Sequence, residues 1–257
     1  MLEWAQDIFS HSNLWILLFS ALPGIIYSII IYFNSPKKSI YIKTGLAYFL
    51  IGIISIQIVQ YFNVVFPYWK MYSDVFIFLH AFVQVALIEE IGKYIGFIAT
   101  DKIRGHVTVT DHPIATMFYS GLAALSFATI ENFFYAMKYG EQVLITRSVT
   151  ATILHMLCGF IIGYFIALSR MKPNKISKSI FSVFMGKFPK VRQVYYTLIG
   201  LIAAVSLHGL YDYNLFLGGP YSIGIMIFTL IVGLALTYFA GKHLIRLSVE
   251  NKNKNNL

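Results

Sequence analysis

Apolar residues in this chain run in long, nearly uninterrupted stretches separated by short polar segments. A stretch of about 20 predominantly apolar residues can cross roughly 30 Å of hydrocarbon as a helix. Seven occur, at approximately 14–33, 44–66, 75–99, 114–137, 148–169, 195–216 and 221–245. Each predicts a helix, because a spanning segment must satisfy its own backbone hydrogen bonds and the alternation of a membrane barrel is missing. Pro23, inside the first span, predicts a kink. The longest polar stretch, 170–194, reads as a loop rather than a second domain, and no internal repeat is evident. The expected architecture is all-α: one polytopic membrane domain over residues 1–257.

Composition supports that class and excludes a soluble domain. With 58% hydrophobic and 12% charged residues and a mean hydropathy of +0.69, too little polar surface exists to cover a globule of 257 residues. The net charge of +9 is unevenly placed. Lys37, Lys38 and Lys43 follow the first span, Lys102 and Arg104 the third, and a basic run from Arg170 to Arg192 the fifth, while the tail adds Lys242, Arg246, Lys252 and Lys254. The opposite loops hold only Lys70, Lys138 and Arg147. The positive-inside rule then puts the N-terminus outside and the C-terminus in the cytoplasm. The lysines stand where they would meet anionic lipid headgroups, so the charge needs no nucleic acid to explain it. Glu3 and Asp7 replace the basic leader of a signal peptide, and the first span is expected to be retained. Cys158 is the only cysteine, which excludes an intramolecular disulfide and a cysteine-rich zinc site.

Four spans break the apolar rule in their interiors. Glu89, Glu90 and Lys93 lie in the third, Glu131 in the fourth, His155 in the fifth, and His208 with Asp212 in the sixth. A charge near the bilayer centre costs about 2.5–3.5 kcal/mol on insertion scales, so several in one chain point to a site where they meet. In the outside-first orientation all of them fall between the bilayer centre and the outer face. Glu89 and Lys93, like His208 and Asp212, stand at i and i+4 and can pair within their helices. Glu89 and Glu90 point about 100° apart, so one can face the site while the other binds Lys93 or a neighbouring helix.

Such a set can activate water, stabilise an oxyanion and protonate a leaving amine, which are the needs of peptide hydrolysis. It could do so around zinc, with His155, His208 and one carboxylate as ligands and a second Glu as base, or by carboxylate and imidazole acid–base work alone. The soluble signature H-E-x-x-H is absent, so spacing does not secure zinc. Proton or cation transport is a second reading of intramembrane acids and histidines, although no inverted repeat supports it. A silent membrane-protein binder is a third.

The residues resemble those of the PrsW-type intramembrane proteases. The likeness rests on I-E-E-I-G-K-Y at 88–94, F-A-T-I-E-N-F at 127–133, Arg147 followed by His155 and G-F-I-I-G-Y at 159–164, and L-H-G-L-Y-D-Y at 207–213, and covers roughly residues 75–216. It implies a cell-membrane protease that makes a first cut in a membrane-anchored protein, such as an anti-sigma factor, on its extracytoplasmic side. The family is classed with metalloproteases and is similar to the CAAX-processing and bacteriocin-immunity membrane proteases, for which glutamate-activated water is a competing mechanism. Carried over, the catalytic set is Glu89, Glu90, Glu131, His155, His208 and Asp212, with Asp212 orienting His208. Lys93, Asn132 and Arg147 support it, and zinc, if used, would sit on His155, His208 and Glu131. Ala115, Thr116 and Ser120 depart from an Asp-Gly pair and a Gly common in the family, and are expected to bear on packing. His80 matches no motif, and His11, His106, His112 and His243 fall at helix ends or in loops.

Overall fold

The structure, a computed structural model, describes residues 11–35, 42–66, 70, 72–103, 113–171 and 186–255. Lys37, Lys38, Arg104, His106, His112, Lys172, Lys175 and Lys178 lie outside the described residues, as do the side chains of His11, Lys252 and Lys254. All seven expected spans are helices: α1 (His11–Asn34), α2 (Ile42–Val65), α3 (Asp74–Ile103), α4 (Pro113–Tyr139), the pair α5 (Val143–Val149) and α6 (Ala151–Arg170), α7 (Pro189–Leu217) and α8 (Ser222–Asn255). No strand occurs among the described residues. α1 continues through Pro23.

Two spans carry irregularities that hydropathy does not register. The middle of α3, His80–Leu87, is a wide π-helical stretch immediately before Glu89 and Glu90. Wide turns of this kind recur at functional sites. The fifth span is broken at Thr150, whose φ of −122° and ψ of −82° separate α5 from α6. Arg147, expected in the loop before this span, lies in α5 and is buried.

α4 and the α5–α6 span form the centre, with 89% and 72% of their most apolar windows buried, against 22% for α1 and for α8. The outer helices turn Leu18, Phe19, Ile25, Ile202, Phe228 and Ile231 outward, which suits lipid. The centre is tight because small residues allow it: a Cβ at Gly159 would meet Ala124 and the Ser120 carbonyl, and one at Gly163 would meet Met117, Ser120 and Thr116. This G-x-x-x-G stripe brings α6 against α4, as such stripes do in membranes. Thr116 and Ser120 are therefore packing residues under α6, and Ala115 is buried beside them.

α2 is held equally closely as far as Val59. Gly52 sits against Ala123 and Ser126 of α4, while Gly92 and Gly96 of α3 leave room for Val59 and Ser55. Beyond Val59 its residues Gln60, Tyr61, Val64 and Val65 are exposed, and a cavity opens behind them. At the opposite end of the bundle, Asp101 Oδ2 accepts from Arg170 at 2.6 Å and Oδ1 from the Tyr48 hydroxyl at 2.9 Å, joining α3, α6 and α2. Asp101 lies eleven residues, about 16 Å of helix, from Glu90.

Candidate active site

The polar residues of the four spans converge on one cluster. Glu90 and Lys93 are one turn apart on α3, and Lys93 Nζ donates to Glu90 Oε1 at 2.6 Å. The i+4 partner available to Lys93, Glu89, is not the one it takes. The same Glu90 oxygen lies 2.7 Å from Nδ1 of His208 on α7. His208 Nε2 is 3.2 Å from Asp212, one turn along α7, and 3.9 Å from Glu89 Oε2. Both ring nitrogens of His208 thus face carboxylates.

His155 occupies the other side. Its Nδ1 is 2.8 Å from the Lys93 ammonium and its Nε2 is 2.8 Å from Glu131 Oε2. Lysine ammonium can only donate, so Nδ1 accepts and Nε2 carries the proton given to Glu131. The two imidazoles meet edge to face with centroids 5.0 Å apart, and Phe127 lies against His155 and under Lys93.

Glu131 is held by α5 as well. Arg147 donates through Nη2 to Glu131 Oε2 at 2.5 Å and through Nε to Asn132 Oδ1 at 2.7 Å, with its guanidinium 3.8 Å from the centre of the Tyr135 ring. Asn132 completes the link by donating to Thr152 Oγ1 of α6. The break at Thr150 allows this arrangement, since α5 delivers Arg147 while α6 delivers Thr152 and His155. Tyr135 and Thr152 were not singled out from sequence. Their signal was spacing, Tyr135 one turn beyond Glu131 and Thr152 one turn before His155.

Glu89 differs from the other acids. Its Oε2 is buried and, among the described residues, accepts no hydrogen bond. Glu90 Oε2 shares that condition, but its Oε1 is held by Lys93 and His208. Glu131, Arg147, His155, His208 and Asp212 line a cavity of about 20 Å³, which is space for about one water molecule. Across Val85, Glu131 and Tyr135 a second cavity of about 490 Å³ reaches Glu89 from the side of α2.

The cluster suits a divalent cation on two grounds. Glu89, His155 and His208 each bring a buried ligand atom within 4.8 Å of the others, a nitrogen-and-oxygen set of the kind that holds catalytic zinc with a position left open. In addition, among the described residues Glu89, Glu90, Glu131 and Asp212 face only Lys93 and Arg147 as permanent cations. With neutral histidines two negative charges lack compensation, and buried charge demands it. Glu131, in the ligand set expected from sequence, gives its Oε2 to Arg147 and His155, and Glu89 stands in that place in the geometric grouping. Glu90, Cys158 and His208 form a second grouping of the same size.

Seven apolar helices thus enclose a buried centre of acids, histidines and paired cations, with space for about one water molecule and a cavity at its side. The chain belongs to the PrsW family of intramembrane metalloproteases, which it matches over residues 13–240. It is similar to proteins named Protease PrsW from Oceanobacillus iheyensis, 32% identical over 112 residues covering 44% of this chain and 51% of that one, and from Shouchella clausii, 33% identical over 104 residues covering 40% of each. The Clostridioides difficile Protease PrsW is 27% identical over 192 residues, 72% of each chain. The chain spans about half the length, or less, of the first two relatives. No solved structure matches it.

Proposed function

We propose that this chain is an intramembrane endopeptidase, one membrane domain that hydrolyses a peptide bond of a membrane-anchored protein near the extracytoplasmic face of the cell membrane. The observation that carries the reading is Glu89 Oε2, a buried carboxylate oxygen accepting no hydrogen bond among the described residues, in the wall of a cavity large enough for peptide that borders a water-sized space across Glu131. Family membership favours this over proton or cation transport.

Glu89 takes the proton from water and later returns it to the leaving amine, the ordinary cycle of a general base. Glu90 fixes His208 and Lys93, and Asp212 sets the His208 ring from its other nitrogen. His155, with its tautomer imposed by Lys93 and Glu131, and His208 face the reacting carbonyl. Arg147 holds Glu131 in place. In the metal reading Glu89, His155 and His208 would hold the ion, zinc in our proposal, each imidazole exchanging one present partner for it, and Glu131 would take the proton from water in place of Glu89. When bound it would supply Lewis-acid polarisation of the scissile carbonyl. A metal-free reading in which Glu89 alone activates water uses the same unpaired oxygen and remains the competitor.

The excess of basic residues on the other side supports reading the α3 N-terminus and the α4 C-terminus as outside, which puts the cluster in the outer half of the membrane. A substrate such as an anti-sigma factor, anchored by one span, presents its cut site at that depth. The test is cleavage of a panel of single-span proteins by detergent-purified chain, with Glu89→Gln, Glu131→Gln and His208→Ala alongside, before and after chelation with metal content measured. Wild-type cleavage lost in Glu89→Gln supports the protease. Loss on chelation and return with zinc selects the metal, and chelator-resistant cleavage by metal-free protein selects the competitor. Absence of cleavage, with substitution-sensitive ion flux in liposomes, overturns the reading.

A further inference from the structure

A protease must hold its substrate extended, and an extended peptide in a bilayer has backbone groups that water cannot reach. Each unsatisfied group costs several kcal/mol in hydrocarbon, so a working site must offer polar partners beside the catalytic residues. The 490 Å³ cavity does. It is bounded by the outer half of α2, the π-helical stretch of α3, the outer end of α4 and Phe216 of α7. Its inner end carries Glu89 and Glu131. Its α2 wall presents Gln60 and Asn63, one turn apart on one face, and its α3 wall presents His80, which is hydrogen-bonded to Gln84. The remaining lining is apolar and aromatic, including Val59, Phe127, Phe134 and Tyr135. The volume lies within the range of ligand pockets, about 300–1,000 Å³.

The outer end of this cavity is cationic. Lys138 lines it, is exposed, and has its ammonium 4.9 Å above the Tyr139 ring. No ion pair with an acid is formed by Lys138 among the described residues. The π-helical stretch and the glycine seats of α2 explain why space exists there. Gly52, Gly92 and Gly96 seat α2 as far as Val59, and these seats stop one residue before Gln60.

We infer that this cavity is the substrate-binding site, occupied by an unwound stretch of the membrane-anchored protein whose acidic side chain, on the outer flank of its span, meets Lys138. The inference rests on the protease reading and adds to it the substrate's chemistry. Glu131 and Lys138 are seven residues apart, about 10 Å along α4. An extended chain advances about 3.3 Å per residue, so the carboxylate belongs about three to five residues outward from the cut bond. Gln60 and Asn63 bind the intervening backbone.

The experiment uses single-span model substrates that differ only in Asp, Ala or Lys, placed in turn at each of six positions outward of the cut. Wild type is expected to prefer Asp over Lys about 10-fold in kcat/KM at three to five residues, equivalent to about 1.4 kcal/mol, and Lys138→Glu to invert the preference. An unchanged Asp-to-Lys ratio in Lys138→Glu overturns the inference while leaving the protease reading intact. A second measurement needs no turnover: a benzophenone amino acid at Gln60, in the Glu89→Gln background, should capture the same substrate, and one at lipid-facing Ile202 should not. Capture at Gln60 without wild-type cleavage would leave the site standing and sink the hydrolytic reading. Equal capture at both positions would sink the site.

Discussion

Glu89 and Glu90 are adjacent in sequence and divided in role by their partners. Glu90 is locked by Lys93 and His208, whereas Glu89 Oε2 is buried with no hydrogen-bond partner among the described residues. Glu89→Gln, which keeps shape and removes the base, should lower kcat by at least ~10²-fold with little change in Tm measured in chelator. Glu90→Gln should lower both, because it unpairs a buried lysine. Measuring Tm and kcat on the same preparations separates the two. Arg147→Lys should also reduce turnover, because Arg147 reaches Glu131 and Asn132 through different nitrogens and covers Tyr135, which an ammonium cannot reproduce. The sequence named the residues of this cluster but not their pairing. Spacing offered Lys93 both Glu89 and Glu90, and the choice belongs to His208, which arrives from α7, 118 positions away.

At the scale of elements, the seven helices were legible because length and hydropathy are all that a bilayer demands of a span. The break at Thr150 and the π-helical stretch were not. Both redirect backbone hydrogen bonds without changing composition, so an apolar window reads the same across them. Arg147 was consequently read as the last loop residue before the fifth span, whereas α5 folds it into the site. The Gly159–Gly163 stripe lets α6 approach its neighbour closely, and α4 is the neighbour it meets. Gly163→Leu should force α6 off α4 and destabilise the protein by about 1–3 kcal/mol or more, seen as a lower Tm in detergent. The same substitution at Gly224, where a side chain meets nothing, should be tolerated.

For the molecule as a whole, orientation follows from charge alone and is open to direct measurement. Cys158 is fully buried, so background labelling should be low. A membrane-impermeant maleimide should label Lys70→Cys in intact cells, and Lys187→Cys only after permeabilisation. The reverse pattern would invert the topology and move the site to the cytoplasmic half. The Asp101–Arg170–Tyr48 link at the far end belongs to the same scale. Asp101→Asn should lower Tm by loosening α3 from α6, at a cost of about 1–3 kcal/mol, while leaving kcat of the folded fraction near wild type.

A metal held by Glu89, His155 and His208 would also make the survival of this protein in detergent depend on its buffer. An ion that binds the folded centre and not the unfolded chain stabilises by mass action, about 2.7 kcal/mol at one hundred times its dissociation constant. A preparation made with strong chelator should therefore melt earlier and aggregate sooner than one made with micromolar zinc, and Glu89→Gln should narrow that gap. Yield and shelf life would then follow the trace-metal content of the solutions used, independently of any assay for cleavage.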